Sequence, residues 1–443
     1  MPPLALVPGA VPLPLPPAPR RRRGLLIGGI VALIAALAVA GGAVFVANRD
    51  SFAAPAEAAA PTRTRPPTTL ESATAALKTQ AAALIRNDEK AWLAAVDPGQ
   101  AKLRARYKTM FRSLRSLGVT AFDYRAFRDP DGADTAKGVD LDATISYCFT
   151  DNVCPADVDA KPTIAAKLKL KPVGGQWVIS SSAPTKSEDD ALPTPWESGD
   201  LVFSKGKRVT LVALPSEKKY FKKLLPIAEA AAVVNDRFAG MVGNPQKRYR
   251  IYLAGAKQWT QWYGGMDDKW VIGYAIPLNE AGMDVVLNMP ELKSDTRLLE
   301  TTVRHELGHV VTLGAAERTS WTAGDMWLKE GIAEYIGWYP QPATASWRRY
   351  SVSKAVHGSK RPKSIAVNAL KDNASVEESD AFYGLGHFAA DCMAKKYGQQ
   401  ALFTFVRLYL REDKDLDPAS REAFGKPFST VDKACVAWIR SKA

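Results

Sequence analysis

The chain has 443 residues, of which 47% are hydrophobic and 24% charged, a composition typical of globular proteins that excludes a fibre or a wholly disordered chain. The net charge is +13. No segment combines dense Lys and Arg with a nucleic-acid-binding signature, so we do not expect nucleic acid as a partner. The length predicts two folded domains plus accessory segments.

An uncharged run at residues 24–47 is the first clear feature of the sequence. Its 24 residues follow four consecutive arginines and, as a helix, would be about 36 Å long, more than the hydrocarbon core of a bilayer. A cleaved signal peptide is the alternative, but Phe45 is bulky where signal cleavage requires a small residue. We therefore expect an uncleaved, single-pass anchor in the cell membrane, with a cytoplasmic N-terminus and the rest of the chain extracellular.

Two segments of low complexity flank this run. Residues 1–23 are rich in proline and predict a disordered cytoplasmic tail. Residues 48–69 are rich in Ala, Pro and Thr and predict an extended stalk.

The four cysteines fit an oxidising, extracellular compartment. Three pairings are open in principle, and we expect Cys148 with Cys154 and Cys392 with Cys435, because each of these pairs lies within one predicted domain. A metal site made of all four thiolates is disfavoured, since no CxxC spacing occurs.

Residues 70–190 predict a small α+β domain. Apolar residues recur at helical spacing up to Leu114, and alternating, strand-like runs follow near 121–127, 141–148, 163–170 and 177–181. This order, with the segment RNDEKAWL at residues 86–93, resembles NTF2-like and cystatin-like domains, in which a helix packs into a bent sheet. An unrelated α+β domain is the alternative.

A Pro-rich joint at residues 191–196 opens the second predicted domain, residues 191–443, which contains the most informative motif. Residues 305–309 read HELGH, and with four histidines in the chain chance does not explain this pattern. Ser294 and Asp295 are suitable helix N-caps and Gly314 is a suitable stop. On one helix, His305 and His309 lie a turn apart and can bind one ion.

A catalytic zinc site needs a third protein ligand. Eighteen residues after His309 begins the segment WLKEGIAEY, in which Glu330 and Glu334 share a helix face, and either can serve. This segment and the HELGH motif resemble the gluzincin metallopeptidases, the thermolysin-like and aminopeptidase-N-like enzymes. The resemblance implies one zinc ion per chain bound by His305, His309 and Glu330, with Glu334 hydrogen-bonded to a ligand imidazole. It also leads us to expect that Gly331 lets its helix approach the HELGH helix closely.

The chemistry that this resemblance implies is peptide hydrolysis. Glu306 is the expected general base for a water activated by the metal. A donor to the developing oxyanion is expected from a later helix, where Tyr383 is our first choice and His387 a second candidate for the oxyanion or for substrate. A core position is the alternative for both side chains.

Two segments bear on binding partners. The strand predicted at residues 283–288 is expected to pair with an extended peptide or protein substrate, the alternative being an interior strand. The cluster Lys218, Lys219, Lys222 and Lys223 is a solvated face or a site for an anionic envelope polymer.

The sequence thus predicts an α+β fold class with a single N-terminal transmembrane helix, a small NTF2-like domain and a zincin-like peptidase domain with a helical C-terminal half. The expected function is that of a cell-surface zinc metallopeptidase with an extracellular catalytic domain. Two alternatives are an inactive zincin that serves as an envelope binding or scaffold module, and a ligand-binding protein that acts through residues 70–182.

Overall fold

The computed structural model describes residues 65–185, 193–266, 270–316, 324–371 and 373–443. Within it, Pro66–Ala443 form one compact unit. The predicted tail, anchor and most of the predicted stalk lie outside the described residues.

The predicted fold class and the predicted cell-membrane location need a correction. Both included a single-pass transmembrane helix, but none of the helices that the structure describes is long and apolar enough to cross a membrane. Residues 24–47 themselves lie outside the described residues. The fold that is described is a mixture of helices and two sheets.

The N-terminal part of the unit begins with three helices, and a capping box between Thr68 and Glu71 starts the first of them. Five strands follow, and four of them, β1, β3, β4 and β5, lie where alternating residues predicted strands; the two-residue strand β2 was not predicted. The sheet is antiparallel in the order β1-β3-β4-β5, with β2 paired to β3. The elements are α1 (Thr69–Ile85), α2 (Glu89–Ala94), α3 (Ala101–Ser116), β1 (Val119–Arg128), β2 (Asp134–Thr135), β3 (Gly138–Phe149), β4 (Thr163–Val173) and β5 (Gln176–Pro184).

An aromatic core holds these helices against their sheet. Trp92 lies 5.8 Å from Phe122 between ring centroids, and its indole N–H donates to the carbonyl of Tyr107. Trp196, from the predicted Pro-rich joint, is fully buried and packs 5.3 Å from Tyr147. The joint is therefore anchored in the core of the small domain. The domain bounds and the NTF2-like resemblance stay predictions.

A second five-stranded sheet follows in the order β6-β7-β8-β10-β9. Strands β7, β8 and β10 are parallel, and β6 and β9 run antiparallel at the two edges. The parallel strands are buried along their whole length, as apolar runs in such sheets are. These elements are β6 (Val202–Lys205), β7 (Val209–Ala213), α4 (Phe221–Val242), β8 (Tyr249–Ala254), α5 (Ala256–Trp259), β9 (Gly273–Pro277) and β10 (Met283–Asn288).

The position of β10 corrects one prediction. This strand was expected to pair with substrate, but it lies between β8 and β9 and hydrogen-bonds to both. Its two edges are used, so it has no free edge for a peptide. The edge strand beside the candidate site is β9.

The rest of the described chain is helical, with α7 carrying the HELGH motif. The Asp295 side chain accepts a hydrogen bond from the backbone of Leu298, and Gly314 ends the helix. Of the two predicted N-caps the structure therefore uses Asp295, and the predicted stop is confirmed. The helices are α6 (Met289–Leu292), α7 (Thr296–Leu313), α8 (Met326–Trp338), α9 (Arg349–His357), α10 (Val376–Tyr397), α11 (Gln399–Val406), α12 (Leu416–Phe424) and α13 (Phe428–Lys442).

Glycines set how closely the helices pack around the site. A Cβ on Gly331 of α8 would lie 2.6 Å from the backbone of Gly386 on α10. The prediction that Gly331 faces the HELGH helix is therefore wrong, because it faces α10. The close contact between α7 and α8 depends instead on Gly308 and Gly337. A Cβ added to Gly308 would lie 3.3 Å from the Cα of Ala333.

Both predicted disulfides are confirmed. Cys148 is bonded to Cys154 in the small domain, and Cys392 to Cys435 between α10 and α13. The second bond joins two fully buried residues, whereas Cys154 is exposed.

Candidate metal centre

Three side chains from two neighbouring helices converge on one point. The Nε2 atoms of His305 and His309 lie 3.1 Å apart. Oε2 of Glu330, from α8, lies 3.2 Å from Nε2 of His305 and 3.4 Å from Nε2 of His309. All three residues are buried, and within the described residues they form the one cluster suited to hold a metal ion.

These distances fit a zinc site. Ligand atoms at about 2.0–2.1 Å from a tetrahedral ion lie roughly 3.3 Å from each other. The three separations of 3.1–3.4 Å match that spacing. Unprotonated imidazole nitrogens and a carboxylate oxygen repel one another at these distances, so the site needs a proton or a metal ion between them.

The charges of the site favour such a positive centre. Burial lowers the pKa of His305, but bonds to the carboxylates of Glu330 and Glu334 outweigh burial and raise that pKa to about 10. Burial raises the pKa of Glu330, but the nearby His309 and His305 outweigh burial and bring this pKa well below its usual value. The cluster therefore keeps its carboxylate ionised and attracts a cation.

Glu334 contacts the other side of a predicted ligand. Its Oε1 lies 3.1 Å from Nδ1 of His305, and its Oε2 lies 3.6 Å from Nε of Arg348. Burial raises the pKa of Glu334, but Arg348 and His305 outweigh burial and lower it. An ionised Glu334 holds the proton of His305 on Nδ1, so Nε2 is the nitrogen that would give up its proton when an ion binds.

Glu306 lies next to the cluster, in a cleft between α7 and β9. The cleft has a volume of about 420 Å³. A Cβ on Gly273 of β9 would lie 2.9 Å from Oε1 of Glu306, so a larger residue there would force the Glu306 carboxylate to shift. Burial raises the pKa of Glu306, an effect that His305 and His309 oppose. The walls of the cleft are mainly apolar and include Trp270, Ile272, Tyr274, Ile276, Leu298 and Phe382.

Tyr383 of α10 also lines this cleft. Its ring centroid is 6.1 Å from that of His305, and the guanidinium of Arg348 lies 5.2 Å from the ring centroid. Burial, followed by the charge of Glu330, raises the pKa of Tyr383 well above its usual value, so the phenol stays protonated and can donate.

The structure does not bring His387 to the cleft. One turn beyond Tyr383, its side chain is fully buried beside Tyr335 and Trp338. Neither ring nitrogen has a hydrogen-bond partner among the described residues. Burial lowers the pKa of His387 to about 4, so the ring is neutral. This placement fits the alternative of a core side chain.

The sequence analysis missed two parts of the site. Arg348, which bridges Glu334 and Asp380, lies outside any motif and is brought to α8 by the fold. Strand β9 was missed as well, although Gly273 between Ile272 and Tyr274 was a usable signal for a close backbone approach.

Comparison with known proteins gives distant likenesses. No protein-family model and no curated protein sequence matches the chain. Among similar solved structures, native yeast LTA4 hydrolase shares 18% identity at a TM-score of 0.36, covering 59% of this chain and 42% of that one. A two-domain M1 zinc metallopeptidase mutant bound to L-arginine shares 12% identity at a TM-score of 0.32, covering 62% and 59%.

An M1 zinc metallopeptidase from Deinococcus radiodurans shares 13% identity at a TM-score of 0.31, covering 73% of this chain and 63% of that one. This chain thus spans 42–63% of the length of the three structures.

Proposed function

We propose that the chain is a zinc-dependent peptidase that cuts peptide bonds in the cleft between α7, β9 and α10. The observation that carries this proposal is the convergence of His305, His309 and Glu330 within 3.4 Å, with Glu306 lining the same cleft. Burying these polar side chains is costly unless they are paired, and their convergence on one point is the arrangement that a metal ion would complete.

His305, His309 and Glu330 would hold one zinc ion per chain. When bound, zinc supplies a positive charge that polarises a carbonyl and lowers the pKa of water from about 15.7 towards about 7. Glu334 orients His305 through Nδ1, and Arg348 keeps Glu334 ionised.

Glu306 is the proposed proton carrier. Its carboxylate accepts a proton from the attacking water as the new carbon–oxygen bond forms at the substrate carbonyl. It then gives that proton to the leaving amine as the carbon–nitrogen bond breaks. The partly apolar surroundings that raise the pKa of Glu306 suit a group that takes up and releases a proton in each turnover.

Tyr383 is the proposed donor to the oxyanion. Its phenol stays protonated at neutral pH and faces the same cleft as Glu306. One such donor typically contributes about 10²–10³ in rate.

Strand β9 is the proposed binding edge for substrate. Within the described residues it pairs only with β10, so its outer edge can hydrogen-bond an extended peptide. Gly273 then places substrate backbone next to Glu306 without a side chain between them. The apolar walls favour peptides with bulky apolar side chains on either side of the scissile bond.

Turnover of a diverse peptide library tests the proposal, with Glu306→Gln as the matched variant. The wild type should cut some library members, and Glu306→Gln should lose nearly all turnover while keeping its metal and fold. A zinc-loaded wild type that cuts no member would overturn the peptidase and support the inactive zincin.

A further inference from the structure

The hairpin that joins β9 to β10 rests on a loop of the small domain. Asn279, at the tip of the hairpin, donates from its side-chain amide to the carbonyls of Asp159 and Lys161, at 2.8 and 3.3 Å. The backbone N–H of Glu280 donates to the carbonyl of Ala160 at 3.1 Å. Three hydrogen bonds thus join this tip to residues 150–161, which we call the clamp loop.

A second contact joins the clamp loop to the face of the sheet. Nη2 of Arg250, in β8, donates to Oδ1 of Asn152 at 2.7 Å, and its Nε donates to Oδ1 of Asp284 in β10 at 2.8 Å. The hydroxyl of Tyr263 donates to the other carboxylate oxygen at 2.6 Å. Since the arginine and aspartate side chains are only 2% and 1% exposed, Asn152 supplies a bond that water cannot replace.

The clamp loop is itself held in place. The Cys148–Cys154 disulfide closes its first residues. The backbone N–H of Thr150 donates to the carbonyl of Gly118 at 2.8 Å, and Asp151 lies 3.6 Å from Arg248. The loop is therefore tied to the small domain on one side and to β8 and the hairpin on the other.

The other end of β9 reaches the candidate catalytic site. Gly273, the first residue of β9 and the one that lies against Glu306, precedes the hairpin tip at Asn279 by six positions. An edge strand is hydrogen-bonded to a neighbouring strand on one side only. The position of β9 therefore depends on its pairing with β10 and on the contacts that hold the tip of the hairpin.

We propose that the clamp loop of the small domain is a positioning element of the active site. Through Asn152 and through the carbonyls that accept from Asn279, the loop holds the β9–β10 hairpin, which keeps β9 aligned beside Glu306 for binding an extended peptide. This inference rests on the proposed function for the role of β9 in substrate binding. It assigns to the small domain a part in peptide binding rather than in the chemical step.

Loosening the hairpin should affect KM more than kcat. The proposed zinc ligands and Glu306 lie on α7 and α8, which the clamp loop does not hold, whereas the substrate edge lies on β9. Loosening the hairpin should therefore raise KM about fivefold, the size of one lost hydrogen bond, and leave kcat within about twofold. A general loss of fold would instead lower kcat and the melting temperature together.

Asn279→Gly is the sharpest variant. Asn279 has a positive φ of 50°, which glycine adopts without strain, so this change removes the amide and keeps the turn. Asn152→Ala removes the acceptor for Arg250, and Asn152→Asp keeps it and should restore the wild-type behaviour. Val153→Ser is the control, because Val153 lies in the same loop and its side chain is 56% exposed.

For each purified full-length variant we would measure amide hydrogen exchange of residues 271–277, KM, kcat and zinc content. We expect faster exchange in this segment and a raised KM for Asn279→Gly and Asn152→Ala, with wild-type zinc content. Val153→Ser and Asn152→Asp should behave as the wild type. Unchanged exchange in Asn279→Gly and Asn152→Ala would overturn the inference, as would equal losses of kcat and zinc. If the wild type cuts no peptide, the proposed function fails, but the exchange measurement still decides whether the loop holds β9.

Discussion

Nδ1 of His305 lies 3.1 Å from Oε1 of Glu334, while Nε2 of the same ring faces Glu330 at 3.2 Å. The two carboxylates come from one helix, one turn apart, and reach opposite nitrogens of one imidazole. Glu330 is thereby placed with the converging ligands, and Glu334 is placed to orient one of them. The resemblance predicts this division of roles, and the two distances agree with it, but the roles themselves stay a prediction.

This division predicts different metal affinities for two matched variants. Glu334→Gln should weaken zinc binding about 10–100-fold, because it removes only the partner that orients His305. Glu330→Gln should weaken it by a far larger factor, because it removes a ligand atom. Competition with a zinc-sensitive chelating dye measures both. Equal weakening in the two variants would contradict the assignment.

Tyr383→Phe tests the oxyanion donor. Phenylalanine fills nearly the same volume and removes only the hydroxyl, so kcat should fall about 10²–10³ while zinc content and KM stay close to wild type. If Tyr383 only packs against its neighbours, kcat on any peptide that the wild type cuts will hardly change, and the donor must be sought elsewhere.

The contact between α8 and α10 predicts a stability effect at Gly331. A methyl group there would lie 2.6 Å from the backbone of Gly386, so Gly331→Ala should lower the free energy of unfolding by about 1–3 kcal/mol. Gly240→Ala on α4 is the control, because no heavy atom lies within 4 Å of its Cβ position and alanine should stabilise the helix by about 0.5–1 kcal/mol. Urea unfolding distinguishes the two, and equal effects would contradict the close crossing.

Because the His387 side chain is buried, we expect the protein to lose stability in acid. Burial lowers its pKa to about 4 in the folded state, against about 6.5 when unfolded, so the unfolded state binds more protons between these values. The free energy of unfolding should therefore decrease as the pH falls below about 6.5, by about 2 kcal/mol at pH 5 from this group.

His387→Phe removes this titration. Between pH 7.5 and pH 5, the variant should lose less stability than the wild type in urea unfolding. If both lose the same amount, His387 is not a buried neutral imidazole.

The sequence could predict the parts of the site that depend on local periodicity. His305 and His309 are four residues apart on one helix, and Asp295 and Gly314 mark the ends of that helix in the sequence itself. The strands of the small domain follow from alternation, as in β4, where buried and exposed residues alternate.

The remaining parts depend on contacts between distant segments. Whether β10 is an interior or an edge strand is decided by where β9 pairs, and no residue within β10 encodes it. Arg348, at the N-cap of α9, reaches Glu334 only because α9 and α8 both pack against α10. The packing of α8 on α10 is also why Gly331 meets α10 rather than α7. Sequence spacing cannot specify such tertiary contacts.

Zinc content of the purified full-length protein tests the central claim most directly. After growth with zinc and removal of loosely bound metal, elemental analysis should find one zinc per chain in the wild type and almost none in Glu330→Gln. Glu377→Gln, at an exposed carboxylate on α10, should match the wild type. A wild-type chain without zinc, or a Glu330→Gln chain that retains a full equivalent, would contradict a metal centre built from His305, His309 and Glu330.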